Sequence, residues 1–377
     1  MNEPETFDHI GVARLKSAAD MIREERPQRY ENAGKLISFG IPFLDDFFGA
    51  LERSDVCICG AKSGQGKTQI SMLIALANAR AGKTVHFYAL ESAEYEIGQR
   101  LKFQELCRLY YQLSEQERPK IVGRLSYLNW FQGRYRGEFD KLEEMAESGE
   151  YLEVLDRIKV LRPGALFTQE SFKENYIESK NASDLVIVDH LHFFDIEDTN
   201  ENRGMKNLMM EIRNSVIVGG CPVLLISHLR KGDRKSLSVV PTMDDFHGSS
   251  DINKIATKAF MISANNVPIE ERPDVRSTFI SSHKCRTDGS RQYHIGAVEF
   301  DMTRQSYSKE YIYYKTDFNW SQAIPAYPGE CPWWATGSSN RFMESTIRSL
   351  RDGPPDEPEN RPVKKKSKKQ WLGEYDS

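Results

Sequence analysis

The chain has 377 residues, of which 28% are charged, and a formal net charge of −4. It has no long uncharged apolar run, and its first residues are acidic, so neither secretion nor membrane insertion is expected. Six scattered cysteines do not suggest a disulfide framework and are compatible with a reducing cytoplasm. The negative charge argues against a surface coated with DNA, although a channel that grips nucleic acid needs only local basic loops.

The two ends of the sequence differ from its middle. Residues 8–25 carry apolar side chains at helical spacing, which would pack in the core or dock on a neighbouring subunit. Together with a polar linker they form a predicted N-terminal segment, 1–35. The pattern of strands and helices occupies 36–320. Residues 321–377 are rich in proline and lysine, and we predict that this tail is largely disordered.

The strongest motif lies at 56–77, where a short apolar run enters a glycine-rich loop that ends in Gly-Lys-Thr and opens into a helical pattern. Strand, loop and helix in this order are typical of a P-loop, whose backbone N–H groups surround a phosphate chain. Lys67 would reach the β- and γ-phosphates, and the Thr68 hydroxyl would hold Mg²⁺. The predicted nucleotide-binding residues are Ala61, Lys62, Ser63, Gly64, Gln65, Gly66, Lys67, Thr68 and Gln69.

Short apolar runs alternate with helical patterns after this motif. Predicted strands lie at 84–90, 158–161, 185–189, 222–227, 256–262 and 277–282, followed by a hairpin-like piece at 293–300. Helical patterns cover about 94–160 and 205–218. This alternation predicts an α/β fold with a mainly parallel central sheet that is covered on both faces by helices.

Two carboxylates follow predicted strands. Asp189 ends an apolar strand and is the candidate partner of Thr68 for Mg²⁺. Glu91 ends the strand at 84–90 and is the candidate base that orients the attacking water, because strand ends meet on the ligand-bearing edge of such a sheet. The alternative interpretations are an acidic residue that merely ends a strand, for Asp189, and a helix N-terminal carboxylate, for Glu91.

Three histidines, His190, His192 and His228, lie near the same predicted edge. His228 follows a strand and would sense the γ-phosphate, or it is an ordinary core or surface histidine. Asp189 and His192 have a spacing that can suggest zinc, but the sequence offers no third ligand at a suitable spacing. We therefore interpret His192 as a polar group that contacts the nucleotide site or its neighbour.

Two basic segments follow strands in the second half of the chain. The first holds Arg230, Lys231, Arg234 and Lys235, and the second holds Lys284 and Arg286. Charged loops are usually just solvated. Two of them on the ligand side of a P-loop sheet suggest phosphate contacts, either to nucleic acid or to a nucleotide in a neighbouring subunit.

In combination these motifs resemble the RecA-like motor of DnaB-type replicative helicases, including the phage and mitochondrial primase-helicases. The matching segments, in the family's order, are Ile41-Pro42-Phe43-Leu44-Asp45, Ala61 at the first P-loop position, Ala89-Leu90-Glu91-Ser92, Ile187-Val188-Asp189-His190-Leu191-His192, Ile226-Ser227-His228-Leu229-Arg230, Phe246 to Ile252, and Lys284-Cys285-Arg286. The resemblance covers about 36–310.

The resemblance implies a RecA-like P-loop ATPase that uses ATP and Mg²⁺ and forms a ring, usually a homo-hexamer, with single-stranded DNA in its pore. Glu91 would activate water, and Lys284 and Arg286 would reach into the adjacent subunit's site. The loops that bind DNA in the family would include Arg203 and Lys206 as well as the segment that holds Arg230 and Lys231. Translocation would run 5′ to 3′ in the cytoplasm of a bacterium or of a phage-infected host, with a primase, a polymerase or a loader as further partners to consider.

Two other functions stay open at this point. One is a recombinase or RadA-type ATPase that depends on DNA but does not sustain unwinding. The other is a KaiC-like scaffold ATPase that binds no DNA. The position of Lys284 and Arg286 after the core strands favours the helicase over the recombinase, and the basic segment at 230–235 counts against the scaffold.

Overall fold

The structure, a computed structural model, describes part of the chain, namely residues 17–23, 25, 35–121, 125–164, 166–196, 198, 200–229, 246, 252, 254–269, 272–289, 294–315 and 323–325. Within it the strands are β1 (Val56–Ala61), β2 (Val85–Ala89), β3 (Ile158–Leu161), β4 (Leu185–Asp189), β5 (Val223–His228), β6 (Lys258–Ile269), β7 (Arg272–Cys285), β8 (His294–Asp301), β9 (Ser306–Lys315) and β10 (Ala323–Pro325). The helices are α1 (Pro42–Phe48), α2 (Lys67–Arg80), α3 (Glu94–Gln112), α4 (Tyr127–Phe131), α5 (Asp140–Ala146), α6 (Gly149–Leu155), α7 (Gln169–Ala182) and α8 (Glu201–Gly219).

The strands form one sheet of ten, in the order β10-β9-β8-β7-β6-β1-β5-β4-β2-β3. From β6 to β3 the neighbouring strands are parallel, and from β6 to β10 they are antiparallel. The predicted α/β fold with a mainly parallel sheet is therefore confirmed, and it carries an antiparallel extension. The sequence patterns did not predict β9, β10 or α7, and they predicted β6 and β7 as shorter strands than the structure shows.

The central strand β1 explains how the sheet divides the core. Its six residues are all buried, so its sequence is a continuous apolar run and does not alternate between apolar and polar residues. Cys57 and Cys59 face one side, in a core cluster with the apolar residues of α2. Val56 and Ile58 face the other side, with apolar residues of α7 and α8. The two cysteines are free and buried, which agrees with a packing role.

A third apolar cluster lies beside the sheet and joins α3 to α4 and α5. Phe103 of α3 packs with Phe139 and Leu142 in this cluster. The backbone N–H of Tyr127 donates to the carbonyl of Thr303, between β8 and β9, at 2.8 Å. The helical insertion after β2 is therefore attached to the antiparallel part of the sheet as well as to the strand that precedes it.

The ends of the chain are described only in part. Residues 18–23 are helical, and the side chains of Met21 and Ile22 are exposed. Most of the rest of the predicted N-terminal segment 1–35 lies outside the described residues. So does most of the predicted tail 321–377, in which Ala323–Pro325 pairs with β9 as β10. Among the described helices, none has the length and apolar character needed to cross a membrane.

Gly60 provides a test of packing around β1. A Cβ atom added there would lie 2.5 Å from the ring of Phe246 and 2.8 Å from a methyl carbon of Leu229, both buried. We expect Gly60→Ala to lower the free energy of unfolding by about 1–3 kcal/mol through overpacking.

The matched control is Gly98→Ala in α3, where an added Cβ meets nothing within 4 Å. This change should raise the free energy of unfolding by up to about 1 kcal/mol, because alanine favours helix over glycine. Urea unfolding of both variants measures the difference. Equal effects from the two substitutions would contradict the predicted contact of Gly60 with Phe246.

Candidate nucleotide-binding site

The glycine-rich loop follows β1 and ends at the first residue of α2, as the sequence predicts. Gly64 and Gly66 have φ values of 76° and 85°, a left-handed conformation that side chains other than glycine rarely adopt. Space is also limited at Gly66, where an added Cβ would lie 3.0 Å from the Tyr307 hydroxyl oxygen. The loop therefore turns back on itself where α2 begins, and the N–H groups of the first helical turn face the end of the loop.

A cavity of about 450 Å³ lies against this loop. The residues around it that the sequence predicts are Ser63, Gly64, Gly66, Lys67, Thr68, Gln69, Glu91 and His228. The residues that the sequence analysis missed are Ser92, Glu96, Arg100, Phe300, Met302 and Gln305. Of the remaining predicted loop residues, Ala61 is buried at the end of β1, and the backbone N–H of Lys62 donates to the Gln65 side chain at 3.3 Å.

Lys67 is buried under the loop, and its ammonium group is held by three contacts. It donates to the carbonyl oxygens of Ala61 and Lys62 at 3.2 and 3.1 Å, and its Nζ lies 3.0 Å from Nδ1 of His228. Burial lowers the pKa of Lys67, and the nearby carboxylates of Asp189 and Glu91 oppose that effect. The lysine side chain is thus held at the loop, where phosphate oxygens would replace the carbonyl acceptors.

Asp189 ends β4 and is almost completely buried. Neither of its carboxylate oxygens has a hydrogen-bond partner among the described residues. Burial raises the pKa of Asp189 to about 6, and the Thr68 hydroxyl acts in the opposite direction. A buried carboxylate without partners next to a hydroxyl fits a hard divalent cation such as Mg²⁺, which prefers oxygen ligands. Thr68 and Asp189 are therefore the residues that would hold the cation.

Glu91 lies two residues after β2 and next to Asp189. Because β2 and β4 are parallel neighbours, Ala89 is paired with Asp189. The backbone N–H groups of Leu90 and Glu91 both donate to the Asp189 carbonyl, at 2.8 and 3.3 Å. The Glu91 backbone is fixed in this way, while its side chain is 46% exposed and faces the cavity. A carboxylate in this position is placed to accept a proton from water.

Three histidine side chains lie together beside these carboxylates. The ring centroids of His190 and His228 are 4.1 Å apart, and His192 lies within 6 Å of both. Burial lowers the pKa of His190 to about 3, and the neighbouring His228 acts in the same direction.

Spacing along the chain offers no third ligand beside Asp189 and His192, because further ligands can come from other strands. The structure brings Glu91, His190 and His228 together, with one possible ligand atom from each within 4.8 Å of the others. His192 instead accepts from the backbone N–H of His228, through Nδ1, at 3.4 Å. The fold therefore assembles a cluster that residue spacing does not reveal.

Lys284 and Arg286 lie at the edge of the sheet opposite the P-loop, so the expectation that they lie on its ligand side was wrong. The reason is that β7 runs antiparallel to β6 and ends where β1 and β6 begin. The backbone N–H of Arg286 donates to the carbonyl of Thr257, and the N–H of Thr257 donates to Val56, the first residue of β1. The P-loop starts at the other end of β1, roughly 17 Å away at about 3.3 Å per residue. Burial, together with Arg286 and Arg213, lowers the pKa of Lys284. The chain does not bring these two cations to its own P-loop.

The residues predicted to bind DNA are only partly described. Lys206 is exposed on the first turns of α8. Arg203 is exposed as well, but its guanidinium forms two hydrogen bonds with Asp198, at 2.6 and 2.9 Å. Arg230, Lys231, Arg234 and Lys235 lie outside the described residues, directly after Leu229, which pairs with Phe246.

No family model and no curated protein matches this sequence. Solved structures do match it. One is a DnaB-like replicative helicase studied with its interactions with primase, at 14% identity and a TM-score of 0.60, covering 78% of this chain and 67% of the other. Another is the ATPase domain of G40P, at 12% identity and a TM-score of 0.62, covering 78% of this chain and 99% of the other. The fold is thus that of the RecA-like motor domain of DnaB-type helicases.

The unpaired carboxylate of Asp189 gives a pH prediction for the protein without metal or nucleotide. Its pKa is raised from 3.8 to about 6 on folding, so its ionisation opposes folding. Asp189 should therefore contribute a loss of stability on the order of 2–3 kcal/mol as pH rises from about 4 through 6.

Asp189→Asn should remove most of this loss, and thermal melting in EDTA at pH 4 to 7 measures it. Asp156→Asn, at an exposed position after α6, is the matched control and should keep the wild-type pH profile. If the melting temperature of Asp189→Asn changes with pH in the same way as that of the wild type, the ionised carboxylate does not destabilise the folded protein.

Proposed function

We propose that this chain, which has the fold of a DnaB-type motor domain, is an ATP-driven ring helicase that moves along single-stranded DNA and separates duplex DNA. The proposal combines ATP hydrolysis at the P-loop cavity with the assembly of several copies. The same proposal includes three further points. The ring is a homo-hexamer, it moves 5′ to 3′, and it cooperates with a primase, a polymerase or a loader.

The observation that carries the hydrolase part is the arrangement around the cavity. Lys67 and the loop N–H groups face the space for phosphates, and the unpaired Asp189 carboxylate and Thr68 fit a cation. Mg²⁺ bound there would neutralise charge on the phosphate oxygens. Glu91, which lines the same cavity from the next strand, would orient water for attack on the γ-phosphate.

The position of Lys284 and Arg286 supports assembly. Phosphoryl transfer is accelerated when a cation stabilises the charge that develops on the transferred group. Arg286 is exposed and lies at the edge of the sheet away from its own P-loop, a position that supports a role in the cavity of a second copy. In a ring, each cavity would then combine the P-loop of one subunit with Lys284 and Arg286 of the next.

Two alternative functions would use the same cavity. A recombinase-type ATPase would bind DNA without sustained unwinding. A scaffold ATPase would hydrolyse ATP without any response to DNA. The ion pair of Arg203 with Asp198 leaves Lys206 and the segment after Leu229 as the sources of positive charge for DNA in the helicase proposal.

Strand separation tests the whole proposal. With ATP and Mg²⁺, the wild type should separate a forked duplex that carries a 5′ single-stranded arm, whereas Lys67→Ala should not, because its P-loop lacks the phosphate-binding cation. Lys159→Ala, at an exposed lysine on β3 that does not line the cavity, is the matched control and should retain activity within about threefold. Hydrolysis that DNA stimulates, without unwinding, would favour the recombinase function. Hydrolysis that DNA does not change would favour the scaffold.

The role of Arg286 in a neighbouring copy predicts complementation between two inactive variants. Arg286→Ala and Lys67→Ala should each lose hydrolysis, the former by about a thousandfold or more, as arginine fingers do. A mixture of the two should regain activity, because some interfaces combine the intact P-loop of one variant with the intact Arg286 of the other.

The rate of ATP hydrolysis is measured for each variant and for mixtures at a fixed total concentration. Arg134→Ala, at an exposed arginine of the helical insertion, is the control and should hydrolyse ATP at the wild-type rate. Mixtures that never exceed the sum of their components would rule out this role in a neighbouring copy.

A further inference from the structure

His190 is a buried histidine that the proposed mechanism does not yet use. It follows Asp189 directly and is 1% exposed. Its ring stands edge-on to the rings of Phe193 and His228, with centroids 4.7 and 4.1 Å away. These contacts leave the ring little freedom to turn, so the hydrogen bonds of its two nitrogens are set by the surrounding backbone.

The backbone determines which nitrogen carries the proton. The N–H of His192 donates to Nδ1 of His190 at 3.2 Å, within the 3₁₀ turn at Leu191–Phe193. A nitrogen that accepts a hydrogen bond cannot carry a proton, so the ring is neutral and its proton lies on Nε2. Nε2 of His190 is therefore a hydrogen-bond donor.

This donor lies close to the carboxylate of Glu91. Nε2 lies 3.1 Å from Oε2 of the Glu91 carboxylate, but the two atoms do not form a hydrogen bond, and Nε2 has no hydrogen-bond partner among the described residues. A buried N–H without an acceptor is costly. Because the Glu91 backbone is held by the Asp189 carbonyl, the half-exposed Glu91 side chain is the part that would rotate to align the two groups. Catalytic hydrogen bonds are often misaligned before substrate binds.

We propose that His190 is a positioning residue for Glu91. Its neutral ring, protonated on Nε2, donates a hydrogen bond to one carboxylate oxygen and holds the other oxygen towards the attacking water. The inference rests on the proposed ATP hydrolysis and adds to it a residue whose orientation is fixed by the backbone of the turn after β4.

The same atoms allow a different interpretation, a transition-metal site formed by Glu91, His190 and His228. A metal would need the lone pair of Nε2, and the proton of His190 would then lie on Nδ1, opposite the N–H of His192. His228 Nδ1 already lies 3.0 Å from the Lys67 ammonium. Both contacts would have to change before a metal could bind, so the geometry favours hydrogen-bond donation.

The role of His190 is tested by measuring the rate of ATP hydrolysis of the wild type, two His190 variants and one control variant. His190→Phe keeps a planar ring without the donor, whereas His190→Gln restores an N–H at about the reach of Nε2. We expect His190→Phe to lower kcat at least about tenfold, part of the 10²–10⁴-fold that general base catalysis contributes, with little change in KM. His190→Gln should recover most of the wild-type kcat.

The matched control is His86→Phe on β2, whose ring contacts the Ser179 hydroxyl at 2.7 Å, outside the cavity. Its kcat should remain near the wild-type value. Thermal melting confirms that each variant folds. A folded His190→Phe with the wild-type kcat, or a His190→Gln as slow as His190→Phe, would overturn the proposal.

A double-mutant cycle separates positioning from general structural damage. In the Glu91→Ala background, His190→Phe should lower kcat no further, because the group it positions is absent. A further loss of kcat in this background would show that His190 does not act through Glu91. Zn²⁺ that raises the melting temperature of the nucleotide-free wild type, but not of His190→Phe, would instead establish the metal site and overturn the proposal.

One measurement does not depend on hydrolysis. Nitrogen-15 NMR of the labelled histidine rings, with the His190 signals assigned by their loss in His190→Gln, should show protonation on Nε2 and not on Nδ1. The opposite pattern would overturn the inference even in an active enzyme. If the wild type shows the expected pattern and binds ATP but does not hydrolyse it, the proposed function fails and the geometry of His190 stands.

Discussion

The parallel pairing of β1, β2, β4 and β5 is the constraint on which the site depends. Pairing places Ala61 opposite His228 and Ala89 opposite Asp189. A shift of one residue in either pair would turn the side chains of that strand to the opposite face of the sheet. Such a shift is opposed by the burial of these strands, in which every position except His86 and His228 is fully buried. The core thus sets the spacing of the P-loop, the cation ligand and the candidate base.

Buried charged side chains have different partners at the two edges of the sheet. At the edge where β6 begins, Lys258 is buried, and its ammonium donates to the carbonyls of Phe48 and Ala50 at 3.2 and 2.6 Å and lies 3.5 Å from Asp55. At the P-loop edge, Asp189 is equally buried and has no such partners among the described residues. A buried charge that is fully paired serves the fold, whereas one left unpaired indicates where a ligand completes the structure.

The sequence predicted the parts of the site that belong to one segment. The P-loop, Asp189 and Glu91 each sit at the end of an apolar run, and strand ends of a parallel sheet share one edge. The opposite wall of the cavity was not predictable in this way. Phe300, Met302 and Gln305 reach it because β8 and β9 extend the sheet by antiparallel pairing, and Arg100 reaches it from α3. The histidine cluster was missed for the same reason, since spacing along the chain cannot reveal contacts between strands.

The distance between Arg286 and the P-loop of the same chain has a consequence for how the protein would behave as its amount changes. If Arg286 acts on a neighbour, a complete catalytic centre belongs to an interface and no isolated chain possesses one. Specific activity then follows the law of mass action: it falls on dilution, even though each chain remains folded and able to bind nucleotide. A folded but dispersed protein would hydrolyse little ATP until enough copies, or a template that gathers them, bring the interfaces together.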